Sequence, residues 1–321
     1  MSAEAFEWND GRLDAILAAM ASMRPVGSTG LSSLDAVLGG GLYPEVYVLA
    51  AEPGAGKTTL ALQVADYVAR FGSRKVVFLS MEMSAAQIVG KSISRISAQG
   101  HGWPPLTARD VMRMGSGDPG KLDAIEKAVE TYREEVAPGI ATIDSKMAVG
   151  DIASLYASAF DPGEPKPVCV VDYLQIMPDD GSPNATDYQH HTANMRGLCA
   201  IARDHRTPVL AISSKNRQKR GSKDLGALTG SSDIEYGASV VMFLSVDGGS
   251  EDEAAENAKR DSRPVTLSVR KNRFGRVGDV PLTFKASESL FIERIDTFNT
   301  DVHARRKSWC SSGVNRGAAA A

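Results

Sequence analysis

The stretch from Tyr47 to Phe71, YVLAAEPGAGKTTLALQVADYVARF, restricts what this chain can fold into more than any other. An apolar run from Val46 to Ala50 leads into it, with the β-branched and aromatic character of a buried parallel strand. Glu52, Pro53, Gly54, Ala55 and Gly56 then make a tight turn, and Leu60, Val64, Val68 and Phe71 recur at helical spacing. Strand, glycine-rich turn and helix start form the context in which a phosphate-binding loop works. Small residues let successive backbone N–H groups converge on a phosphate, and the helix N-terminus adds the positive end of its dipole. Lys57 can reach the β- and γ-phosphates, the Thr58 hydroxyl can ligate Mg²⁺, and Thr59 completes the set from Glu52 that would hold a nucleoside triphosphate. The pattern G-x-x-x-x-G-K-[ST] is met imperfectly, because Ala51 stands at the first glycine. A chance Gly-Lys-Thr at a helix start is the bland alternative, and the flanking strand and helix weigh against it.

With 321 residues, 43% of them apolar, the chain can bury one large core. No apolar run approaches the roughly 18–20 residues of a membrane span. The start, MSAEAFEWND, lacks the basic and apolar regions of a signal peptide. Cys169, Cys199 and Cys310 lie far apart with no C-x-x-C pair, which argues against a zinc site or a disulfide framework. A cytoplasmic protein with no membrane partner is expected. The net charge of −3 gives no global attraction for nucleic acid, so any such case must rest on local clusters.

The remaining chain alternates strands and helices, an α/β pattern. Leu13, Ile16, Leu17, Met20 and Met23 share a helical stripe that Pro25 ends. That helix can pack on its own domain or dock on a neighbouring subunit. A strand at residues 75–80 leads to Glu82, followed by a helix from Ser84 and Gln87 at capping-box spacing. The strand 167–171 closes on Asp172, a usual station for a carboxylate that supports Mg²⁺. His190 and His191 lack ligand partners at known spacing and read as solvated.

A strand ending at Ser213 and Ser214 runs into Lys215, Arg217, Lys219, Arg220 and Lys223, with no acid among them. Such a loop is either solvated or tracks a phosphodiester backbone without sequence preference. Residues 247–256 read as an acidic loop. Strands at 265–270 and 280–284 pair as a hairpin, with Lys271 and Arg273 at i, i+2 on one side.

Four segments carry a family resemblance: AAEPGAGKTTLAL, FLSMEMSAAQ, VVDYLQIM and VRKNRFGRVGDVPLTF. Together they make the chain from about residue 28 to 295 resemble the C-terminal motor domain of DnaB-type hexameric replicative DNA helicases. The resemblance implies a RecA-like P-loop fold: a mostly parallel central sheet, helices on both faces, and a C-terminal antiparallel hairpin. It implies that Glu82 polarises the attacking water, that Asp172 supports Mg²⁺, and that Lys271 and Arg273 reach the γ-phosphate of the next subunit's ATP. The loop after Ser214, including Thr229 and Gly230, matches pore loops that grip single-stranded DNA. The stripe in residues 10–23 matches a linker helix.

Three departures accompany the match. Ser214 stands where the family carries a glutamine that senses the γ-phosphate, and Thr229 stands where a pore-loop arginine is usual. The N-terminal collar domain has no counterpart in the sequence. The expected division is therefore an arm over 1–27, a motor domain over 28–297 and a disordered tail over 298–321. The resemblance also implies a homo-hexameric ring, with primase or a helicase loader as further partners. RadA-type and KaiC-like ATPases resemble parts of the chain, and a loader that does not unwind DNA is a further alternative.

Overall fold

The computed structural model describes residues 9–72, 74–99, 102–161, 163–178, 186–214 and 237–294. Its centre is β1 (Val46–Ala51), buried at every position, as a strand covered on both faces must be. The other parallel strands are β2 (Val76–Ser80), β3 (Ile140–Ile143), β4 (Val168–Asp172), β5 (Val209–Ser214) and β6 (Val240–Val246). Three antiparallel strands follow, β7 (Ser262–Asn272), β8 (Gly278–Lys285) and β9 (Leu290–Glu293). They form one nine-stranded sheet in the order β3-β2-β4-β5-β1-β6-β7-β8-β9.

Alternation along the strands sends side chains to two separate cores. Tyr47, Leu49 and Ala51 face α2 (Ser32–Leu38) and α3 (Lys57–Phe71), joining Leu34, Leu60, Val64 and Val68. Val46, Val48 and Ala50 join the opposite core with Ile152 and Tyr156 of α7 (Val149–Ser158) and Met195, Leu198 and Ile201 of α8 (Asp187–Asp204). Helices thus cover both faces, as expected. Beyond β2, α4 (Ala85–Ala98), α5 (Ala108–Met112) and α6 (Pro119–Glu135) close a third cluster around Ile93, Ile96 and Ile125. The Ser84–Gln87 capping box is present, with the Gln87 N–H donating to Ser84 Oγ and the Ser84 N–H to Gln87 Oε1.

Two expectations need correction. Residues 247–256 are not all loop: α9 (Glu251–Lys259) starts there. Ser250 caps it by accepting from the Glu253 N–H, and Glu251, Asp252 and Glu253 favour the positive end of the helix dipole. The predicted hairpin gains a third strand, β9, entered through Ser289 at a φ of 52°. Helix α1 (Asn9–Ser22) carries the N-terminal stripe, and Leu13, Leu17, Met20 and Met23 remain exposed within the single chain. No helix of the described residues is long and apolar enough to cross a membrane.

Candidate active site

The carboxyl ends of β1, β2, β4 and β5 lie side by side, and open α/β sheets bind ligands at that edge. The phosphate loop leaves β1 at Ala51 and enters α3 through Gly56, which caps the helix with a φ of 101°. Glycine is needed there twice over. The backbone is left-handed, and a Cβ would come within 2.8 Å of ring atoms of both Phe284 and Phe291. Those rings stack 4.2 Å apart, so the loop rests on an aromatic floor supplied by β8 and β9.

Lys57 curls back over the loop, and its Nζ donates to the carbonyls of Ala51 at 3.2 Å and Glu52 at 3.3 Å. Burial lowers its pKa, against the pull of Asp172 and then Glu82. The ammonium is therefore partly desolvated and lies in the field of two carboxylates.

Asp172 is paired with Ser80 across β2 and β4, and its carbonyl accepts from the Met81 N–H at 2.8 Å. Glu82, exposed, follows one residue later. The Asp172 side chain is 1% exposed, and its Oδ2 has no hydrogen-bond partner. Burial pushes its pKa up to about 6; Glu82 adds to this, while a hydrogen bond from Thr58 and the charges of Lys57 and Lys91 oppose it.

An orphaned carboxylate oxygen beside a hydroxyl, both hard donors, fits Mg²⁺. Among the described residues no group of three or more His, Cys, Asp or Glu side chains could cage a metal. Mg²⁺ is usually held by one or two protein oxygens together with substrate phosphates, and Thr58 and Asp172 are the oxygens this edge offers.

Three neighbours escaped the sequence reading. Lys91 on α4 donates from Nζ to Thr59 Oγ1 at 3.2 Å; burial lowers its pKa, Arg95 adds to this, and Asp172 opposes it. It follows the capping Ser84 by seven residues, two helical turns, and that spacing means nothing until the helix has a face. Arg263 on β7 donates from Nη2 to the Gly54 carbonyl at 2.8 Å and lies over the Phe284 ring at 4.8 Å. Gln175 bonds to both Ser213 and Ser214. No local motif announces either of these contacts.

A groove of about 760 Å³ flanks the outer side of the loop, lined by Pro53, Gly54, Leu244, Asp247, Glu251 and Ala254 among others. None of Lys57, Thr58, Glu82 or Asp172 lines it.

Lys271 and Arg273 are elsewhere. Lys271 pairs with Val241, three residues before Leu244, the β6 partner of Ala51. The Arg273 N–H donates to the Ser239 carbonyl, further still from the loop. At about 3.3 Å per strand residue they sit roughly 10 and 17 Å back along the strand. Within one chain they are not brought to the phosphate loop. Ser214 ends β5, paired with Ala51 and part-exposed. Lys215, Arg217, Lys219, Arg220, Lys223, Thr229 and Gly230 lie outside the described residues.

A parallel sheet with a phosphate loop at its carboxyl edge and an antiparallel extension is the fold of RecA-like ATPases. Within that class the chain belongs to the DnaB-like helicase C terminal domain family, whose model matches residues 27–293. It is 29% identical over 269 residues to the Replicative DNA helicase DnaB of Treponema pallidum (strain Nichols), covering 83% of this chain and 55% of that protein. The chain thus spans about half the length of the curated relatives it matches.

Among solved structures, the ATPase domain of G40P is similar with a TM-score of 0.73 at 21% identity, over 90% of this chain and 99% of that one. A DnaB-like replicative helicase, described with its interactions with primase, is similar with a TM-score of 0.71 at 20% identity, over 89% of this chain and 67% of that one. At these identities the structural likeness speaks for the fold.

Proposed function

We propose that this chain is the motor of an ATP-driven replicative DNA helicase, hydrolysing Mg-ATP between the subunits of a ring and moving along single-stranded DNA. One observation carries the reading. Lys57, Thr58, Glu82 and Asp172 converge at one sheet edge, while Lys271 and Arg273 of the same chain lie well back from it. The site is half of a site, and a second copy would complete it.

Backbone N–H groups of Gly54, Ala55 and Gly56 would cradle the β-phosphate, with Glu52 and Pro53 shaping the turn and Lys57 neutralising β- and γ-oxygens. Thr58 and Asp172 would hold Mg²⁺, which supplies charge neutralisation across the β- and γ-phosphates when bound. Glu82, exposed beside Asp172, would orient the attacking water and accept its proton. Lys271 and Arg273 of the adjacent subunit would stabilise charge in the transition state, a contribution of about 10³–10⁵ in rate for in-trans arginines. Hydrolysis would then require the ring.

The basic run from Lys215 to Lys223, with Thr229 and Gly230, would contact the DNA backbone, and Ser214 would report the nucleotide state to it. The stripe on α1, within an arm over 1–27, would dock on a neighbouring subunit as part of a homo-hexamer, with 28–297 as the motor and 298–321 as a tail. Primase or a loader would be further partners, and the setting cytoplasmic.

The test is steady-state ATP hydrolysis with and without single-stranded DNA, run beside unwinding of a forked duplex, with Lys57→Ala as the blank. Stimulation and unwinding that both vanish in the blank are the expected result. Stimulation without unwinding would favour a loader or a recombination ATPase, the reading that the short Ser214 side chain keeps in play. No response to DNA would remove the nucleic-acid reading.

A further inference from the structure

We propose that Gln175 is the positioning residue that transmits the state of the nucleotide site to the chain leaving β5, and so sets how strongly DNA stimulates hydrolysis. The inference rests on the helicase reading above.

The geometry is local. The β4–β5 ladder ends at the pair Val171–Ala211, one residue before Asp172. Past that point the Gln175 side chain bridges the two strand tips. Its Nε2 donates to Ser213 Oγ at 2.7 Å, and its Oε1 accepts from the Ser214 N–H at 3.1 Å. Ser213 is fully buried, so no water competes for that bond. On its other side Ser214 pairs with Ala51, whose carbonyl accepts from Lys57. Ser214 therefore stands between the phosphate loop and the short turn that follows Asp172, and the next residue is Lys215.

The side chain at 214 is a single hydroxymethyl, too short to reach far into a site. The backbone of Ser214 is what both neighbours hold. Gln175, three residues past the Mg²⁺-supporting carboxylate, makes that hold depend on where the tip of β4 sits. A shift at Asp172 moves the amide, and the amide moves the strand end that starts the basic run. Coupling through this bridge requires the strand tips to take two arrangements that both sites bias, and the experiment below tests for that.

The experiment measures hydrolysis with and without single-stranded DNA, and DNA affinity with ADP against a non-hydrolysable ATP analogue, in the full chain. Gln175→Met keeps the length of the side chain and removes the bonds to Ser213 and Ser214. It should leave DNA-free turnover and the KM for ATP nearly unchanged while cutting DNA stimulation by about tenfold, the scale of typical site-to-site coupling. The affinity difference between the two nucleotide states should shrink as well, and by linkage the effect of DNA on nucleotide affinity should shrink by that same factor. Gln175→Glu keeps an acceptor for the Ser214 N–H and should retain the greater part of the response. Ser213→Ala removes the second bond from the opposite partner and should weaken stimulation even if the Met variant folds poorly.

Wild-type stimulation preserved in both Gln175→Met and Ser213→Ala overturns the inference and leaves the helicase reading standing. Equal loss of basal turnover and stimulation also overturns it, since that marks a purely structural side chain. A wild-type protein that ignores DNA in both measurements removes the helicase reading, and the inference with it.

Discussion

In the parallel half of the sheet, β1, β2 and β4 are buried at every residue, and their polar groups collect at one edge. In the antiparallel extension, β7 and β8 alternate buried and part-exposed positions for most of their length. The parallel edge holds Asp172 with an orphan oxygen and two lysines, Lys57 and Lys91, whose charge burial disfavours. The extension turns its own groups to support. Gln63 on α3 exchanges two hydrogen bonds with the Phe291 backbone, Arg263 donates to Gly54, and the Phe284–Phe291 stack lies under Gly56. Groups that a ligand would satisfy stand in one half, and the contacts that hold them still stand in the other. Such a division lets an edge that is costly in the free protein persist, because the geometry of its loop is set from outside it.

The sharpest test of that comparison is Asp172→Asn. It should reduce ATP hydrolysis by at least about a hundredfold by removing the carboxylate that would support the ion. The nucleotide-free protein should nevertheless melt higher than wild type, because a buried carboxylate with an unmet oxygen is replaced by a neutral amide. A fall in both quantities would mean that the edge carries no such cost.

Gly56→Ala attacks the junction between the halves. The positive φ and the 2.8 Å approach to two aromatic rings should together cost about 2–4 kcal/mol, and nucleotide binding should fail with it. Denaturant unfolding and a fluorescent-nucleotide titration check both. A neutral result would show that the aromatic floor yields.

Arg263→Met keeps apolar contact with Phe284 and removes the donor to the carbonyls of Gly54, Ala258 and Arg260. A loss of about 1–2 kcal/mol is expected, together with a raised KM for ATP and a smaller change in kcat. Unchanged KM would separate the extension from the loop.

The smallest effect contrasts two carboxylates. Asp110, outside both halves, is held down to about 2, first by its hydrogen bond from Lys121 and then by Thr107. Its folded value lies below the ordinary 3.8, so its contribution is complete above that pH and is lost as pH falls toward 2. The difference in melting temperature between wild type and Asp110→Asn should be constant above pH 5, shrink as pH falls through 3.8 and close near pH 2. A difference that persists in acid would assign the effect to packing.

Much of the fold was legible because burial on both faces of a parallel sheet demands continuous apolar runs. Val46–Ala50, 75–80 and 167–171 are such runs, and each leads within two residues to a carboxylate: Glu52, Glu82 and Asp172. The helix at Glu251–Lys259 was missed because its polar composition resembles loop, and its capping serine outweighs that composition. Strand β9 was missed because four residues carry too little pattern. Its place depends on Phe284 and Gln63, distant in sequence. Lys57, Thr58, Glu82 and Asp172 were legible as motif residues, whereas Lys91, Gln175 and Arg263 act across 32, 38 and 209 positions of chain.

What the sequence determined by itself was the list of candidate groups and the strand ends that carry them, because a phosphate loop and an acid at a strand terminus are local chemistry. Only the tertiary structure decided that Lys271 and Arg273 stand away from the loop in their own chain, and which side chains hold the loop and the end of β5. Those are matters of strand order and register. A one-dimensional pattern states that a segment is a strand, while the partner it pairs with is set by how the whole core closes.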